Sequence, residues 1–141
     1  MHVDKTELAR EFINLVPQAR ALQLEITEIH DGIAVIRTPY DPALVGDPDT
    51  GVIHGGAVST LMDTCGGAAT MAHPSNPGGT ATISLRIDYL RAATPGQAIV
   101  ARAECHHVTR SVAFVRATAH DDDADNPVAT ATGTFTVEGA A

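Results

Sequence analysis

His54-Gly55-Gly56, followed at position 63 by an isolated carboxylate, is the part of this chain whose residue types and spacing could do chemistry. From Thr50 to Leu85, Asp63 is the only charged side chain apart from the two histidines His54 and His73. An acid in so apolar a stretch is costly unless it is paired, protonated or put to use. A helix normally begins with Ser, Thr, Asp or Asn, whose side chain binds the first free N–H groups. Gly55-Gly56 supplies no such acceptor, so those N–H groups are expected to stay open at the positive end of the helix dipole. That is the layout of an oxyanion site, with His54 just before it. The plainer alternative is a glycine turn and an Asp63 satisfied by arginine or backbone N–H groups.

Asp63 lies seven residues past Gly56, about 10 Å along a helix that rises ~1.5 Å per residue. Reacting atoms must approach to about 3 Å. One helix therefore cannot present both groups to one carbonyl, and a homodimer with composite sites is expected.

The elements that must position these groups follow from the patterning. Residues 6–16 place Leu8, Phe12, Leu15 and Val16 on one helical face, which is expected to meet the core, with Pro17 ending the helix. Leu22, Leu24 and Ile26 alternate with polar residues as a strand, and His30-Asp31-Gly32 turns the chain into a second strand over 33–38. A Pro- and Asp-rich loop covers 39–50. Residues 56–72 are expected to form a buried central helix, because Val58, Thr60, Thr64, Gly66 and Gly67 are too weak as helix formers for an exposed one. Strands over 82–90, 98–108, 111–120 and 130–137 then imply an antiparallel sheet. The acidic run 121–127 reads as a solvated loop tip. His106 and His107 read as strand residues on opposite faces, and His73 as a helix-end residue.

The chain has 141 residues, is 44% hydrophobic and carries a formal net charge of −8. One domain spanning 1–141, opened by an N-terminal helix within 1–16, fits that length. The charge disfavours nucleic acid as a partner. No apolar run is long enough for a membrane span, and no apolar segment follows Met1–Lys5 as a signal peptide requires. Cys65 and Cys105 read as two reduced thiols, and the expected location is cytoplasmic. No metal is expected, since the neighbours in Cys105-His106-His107 point to opposite faces of a strand.

The segment Gly51-Val52-Ile53-His54-Gly55-Gly56 with Asp63 resembles hotdog-fold acyl-CoA thioesterases of the PaaI-like, phenylacetate-pathway type. Residues 84–91, 111–116 and 129–135 extend the resemblance over nearly the whole chain from about Leu15. It implies an α+β hotdog fold, a six-stranded antiparallel sheet wrapped around a central helix, assembled as dimers and often tetramers. It implies hydrolysis of an acyl-CoA with no cofactor. By that resemblance the thioester carbonyl would lie against the Gly56 N–H with His54 beside it. Asp63 of a partner would act as base or nucleophile, and Thr82 would hold the attacking water. Gly55, Arg91, Thr109, Arg110 and Ser111 are the candidates for contacting the CoA moiety. The chain departs from close relatives at Pro48, where an amide is common, and it lacks the loop typical of hotdog dehydratases. The competing reading is a noncatalytic acyl-CoA-binding or sensing module. The acyl pocket is expected to involve Leu61, Met62, Met71 and the loop 39–50.

Overall fold

The computed structural model describes residues 5–76 and 78–138; the expectations for residues 1–4, for Pro77 in the loop after the central helix and for residues 139–141 fall outside them. Helix α1 (Lys5–Leu15) is followed by a short α2 (Pro17–Ala21). Pro17 thus starts a helix as well as ending one, since the first helical position needs no N–H. Strands β1 (Glu25–His30) and β2 (Ile33–Thr38) form a hairpin. Its turn residues Asp31 and Gly32 have φ of 46° and 80°, the twist a two-residue hairpin turn demands. The strand expected from Leu22 begins only at Glu25, because Leu22 caps α2 and Gln23 adopts a φ of 57°.

The loop 39–50 is more ordered than its composition suggests. Asp41 caps a 3-10 turn at Pro42–Leu44, and β3 (Val45–Asp47) pairs with β4 (Val52–Ile53). The central helix α3 (Gly55–Met71) follows, then β5 (Thr82–Tyr89), β6 (Ile99–Val108), β7 (Val112–His120) and β8 (Ala129–Thr136). The six long strands form one antiparallel sheet in the order β1-β2-β6-β7-β8-β5. The α+β hotdog architecture expected above is what the chain adopts.

Burial sustains α3 despite its poor helix formers. Leu61, Met62, Cys65, Ala68 and Ala69 are buried beneath the sheet, each large apolar side chain contributing about 1.5–3 kcal/mol. Thr60 and Thr70 return their hydroxyls to the Gly56 and Gly66 carbonyls one turn back. Gly66 permits the closest approach: a Cβ there would lie 2.7 Å from Phe135 Cζ. The other side of α3 is a more open stripe through Gly56, Thr60, Asp63, Gly67 and Met71, spaced as one helical face.

Two side-chain placements differ from expectation. On α1 the buried residues are Ala9 and Ile13, while Leu8, Phe12 and Leu15 are 48%, 53% and 76% exposed. Arg10 Nη1 donates to the Ile26 carbonyl at 3.0 Å, fixing the rotation of α1 so that small Ala9 faces inward. A bulge between Cys105 and His107 puts both His106 and His107 outside, rather than one on each face. Strand β5 forms one edge of the sheet and is mostly exposed, with Ile83 at 54% and Tyr89 at 51%.

Candidate active site

The glycine end of α3 is held by its own histidine. His54 is the N-cap, and its Nδ1 accepts the Gly56 N–H at 2.7 Å. The expectation that this N–H stays open is therefore corrected. Imidazole is not among the usual caps, yet its ring nitrogen reaches the same donor that a Ser or Asp oxygen would. A neutral ring accepting at Nδ1 carries its proton on Nε2, so exposed His54 offers Nε2–H as a donor. The Gly55 N–H has no protein acceptor among the described residues. Tyr89 Oη donates to the Gly55 carbonyl at 2.9 Å and seats the helix end on β5. Tyr89 was not singled out in the sequence, although it lies within the stretch 84–91 that carried the resemblance.

Two turns along, Thr82 Oγ1 donates to Asp63 Oδ1 at 2.7 Å. Asp63 is half-buried in the single chain, neither sealed nor in an ion pair. Among the described residues Oδ2 has no protein partner and no cation lies within salt-bridge distance of the carboxylate. Neither the arginine nor the backbone partners of the plainer reading are present among the described residues. Beside the pair lies a cavity of about 210 Å³ lined by Phe12, Ile13, Gly67, Met71 and Phe135. Leu61 and Met62, expected to line such a pocket, are instead fully buried beneath the sheet.

The CoA candidates divide. Arg91 is corrected: its guanidinium forks onto Asp121 with two 2.7 Å bonds and gives its remaining donors to the carbonyls of Asn126 and Ala92. All five donors are spent. Asp121 is 3% exposed and also accepts from Thr94 N, Thr94 Oγ1 and Asp123 N. The start of the acidic run is thus a buried anchor rather than a loop tip, and the Arg91 bond holds the Asp121 carboxyl far below the usual carboxylate range. Thr109 is engaged by Val112 across the β6–β7 turn. Arg110 in that turn is exposed and has no partner among the described residues. The Ser111 carbonyl accepts from Val137 N. Pro48 sits exposed in the β3–β4 turn, where Asp47 binds Asp49 N and Thr50 Oγ1 rather than facing the site.

Neither thiol competes as a nucleophile. Burial pushes Cys65 up to about 12, and its Sγ lies 3.2 Å from the Ala34 carbonyl; burial also raises Cys105.

Residues 50–128 match the thioesterase superfamily model. The chain belongs to the thioesterase superfamily. This thioesterase is 27% identical to the medium/long-chain acyl-CoA thioesterase YigI of Salmonella typhimurium over 139 residues, covering 89% of the chain and 88% of YigI. It is 37% identical over 75 residues to a candidate esterase of Halobacterium salinarum, spanning about half the length of that relative. A solved Pseudomonas aeruginosa protein superposes with a TM-score of 0.83 at 36% identity, over 94% of this chain and 98% of that one. A mutant of the phenylacetic acid degradation protein PaaI from Thermus thermophilus superposes at 0.77 with 27% identity, over 87% and 100% of the two chains. The thioesterase is thus a PaaI-like member of the hotdog group.

Proposed function

We infer that this thioesterase hydrolyses acyl-CoA to the free acid and CoA at sites shared between two copies. The observation that carries the reading is the Asp63 carboxylate, oriented by Thr82 at Oδ1 and, among the described residues, unpartnered at Oδ2 on the open stripe of α3. The similarity to the medium/long-chain acyl-CoA thioesterase YigI supports CoA as the leaving group.

Gly55 lies eight residues before Asp63, about 12 Å along the helix. The two groups therefore meet only across an interface. The free edge of β5, with Ile83, Tyr89 and Leu90 exposed, suits antiparallel pairing with the same strand of a second copy. A two-fold axis there would bring the glycine end of one α3 toward Asp63 of the other.

In the proposed reaction Asp63 Oδ2 takes a proton from water as the oxygen adds to the thioester carbon. The oxyanion receives hydrogen bonds from the Gly55 N–H and His54 Nε2–H, replacing the Gly56 N–H expected from the sequence. Collapse breaks the C–S bond, and the sulfur leaves with the proton returned from Asp63. Direct attack by Asp63, giving an anhydride that water then opens, uses the same groups. Of the two arginines singled out for CoA, Arg110 remains available to a phosphate. A dimer is the smallest active unit; assembly into a tetramer and a cytoplasmic location complete the reading.

Thiol release from an acyl-CoA panel tests it. Wild type should release CoA and Asp63→Asn should lose at least about a thousandfold in kcat. Mixing Asp63→Asn chains with His54→Ala chains should restore part of the activity. Equal release by wild type and Asp63→Asn would favour a binding or sensing module.

A further inference from the structure

The uncovered face of α1 has a use that the fold itself does not give it. Leu8, Phe12 and Leu15 recur at helical spacing and are all largely exposed, although Ala9 and Ile13 beside them are buried. A monomer gains nothing from leaving three large apolar side chains in water. They line a cavity of about 400 Å³ together with Met71. Phe12 and Met71 also line the 210 Å³ cavity beside Asp63 and Thr82. The two compartments therefore share a wall formed by Phe12 of α1 and Met71 of α3. The 210 Å³ cavity alone falls below the usual range for a ligand pocket, roughly 300–1,000 Å³, whereas the pair falls within it.

The geometry points to the hydrocarbon tail of a medium or long acyl group as the occupant, with Phe12 on α1 setting the preference for chain length. This rests on the acyl-CoA reading above. A tail starting at a carbonyl held near Asp63 passes Gly67 and Phe12 before reaching Leu8 and Leu15. A short acyl group ends in the 210 Å³ cavity and does not reach Leu8 or Leu15. Continuity with the Asp63–Thr82 pair selects this occupant over a second protein chain.

Two variants test the assignment. Phe12→Ala removes the shared wall from an exposed position. Gly67→Leu fills the passage at a site where a Cβ meets only ordinary contacts, 3.9 Å from Thr80 Cγ2 and 4.0 Å from Phe135 Cε1. The ratio of kcat/KM for dodecanoyl-CoA over butyryl-CoA should fall roughly tenfold in Phe12→Ala and further in Gly67→Leu. Binding of 11-(dansylamino)undecanoic acid, read by fluorescence, should weaken in both. An unchanged ratio with unchanged probe binding overturns the inference. So does a change in sedimentation of Phe12→Ala with no change in the ratio, which would assign the surface to a second copy. A wild type that releases no CoA, yet binds the probe in a Phe12-dependent way, would remove the hydrolytic reading and leave the groove standing.

Discussion

Thr82 on an edge strand and Asp63 in the middle of the central helix are joined by a single 2.7 Å hydrogen bond. The hydroxyl satisfies one carboxylate oxygen and, in the proposed reaction, leaves the other to take a proton from water. Thr82→Ala should therefore lower kcat by about tenfold to a hundredfold through loss of orientation, with KM little altered. Thr82→Ser should recover most of the loss. Steady-state kinetics on one acyl-CoA decide it, and an Ala variant as active as wild type would remove Thr82 from the site.

His54 does two things at once, capping α3 through Nδ1 and presenting Nε2–H. His54→Ala should cost about 1 kcal/mol of stability from the cap, and about a hundredfold in kcat from the lost oxyanion donor. His54→Asn restores a cap acceptor without an imidazole. It should regain stability in a thermal melt but not the rate.

The Arg91–Asp121 clasp predicts a pH dependence of stability. The Asp121 carboxyl titrates below its unfolded value of about 3.9. The native state therefore binds fewer protons than the unfolded chain as pH falls past that value. The stabilisation is fully present above it and is lost as pH drops toward the depressed native value. Asp121→Asn should destabilise the protein at pH 7 by about 2 kcal/mol, or roughly 5–10 °C in Tm. It should also flatten the fall in Tm between pH 5 and lower values. Melts of both proteins across that range provide the check.

Adjacent glycines on α3 should respond oppositely to alanine. Gly66 faces the Phe135 ring at a distance no Cβ tolerates, so Gly66→Ala should destabilise by about 1–3 kcal/mol despite better helix propensity. Gly67 has ordinary space, and Gly67→Ala should stabilise by about 0.5–1 kcal/mol. Denaturant unfolding of the two variants distinguishes them.

Much of this arrangement was legible from residue order. The length and apolar density of the segment from Gly56 to Ala72 point to a buried helix, and the alternation after Thr80 points mostly to strands. Asp63 stood out because nothing charged surrounds it. What escaped were choices made by tertiary contacts. Nothing in the sequence says that His54 folds back to cap Gly56, because imidazole is rarely a cap. Arg91 looked available because its partner Asp121 lies thirty residues away inside a run of acids. The rotation of α1 was misjudged because Leu8, Phe12 and Leu15 are as apolar as the residues that are buried; only Arg10 reaching Ile26 settles which stripe turns inward.

The full commitment of Arg91 leaves a chain with 17 acidic and 9 basic residues one cation poorer toward incoming phosphates. A multiply anionic substrate therefore approaches against net repulsion. Added electrolyte, which shortens the Debye length to about 8 Å at 0.15 M, shields that repulsion. Capture should consequently quicken between dilute buffer and physiological ionic strength, opposite to the behaviour of proteins that steer phosphates with a basic surface.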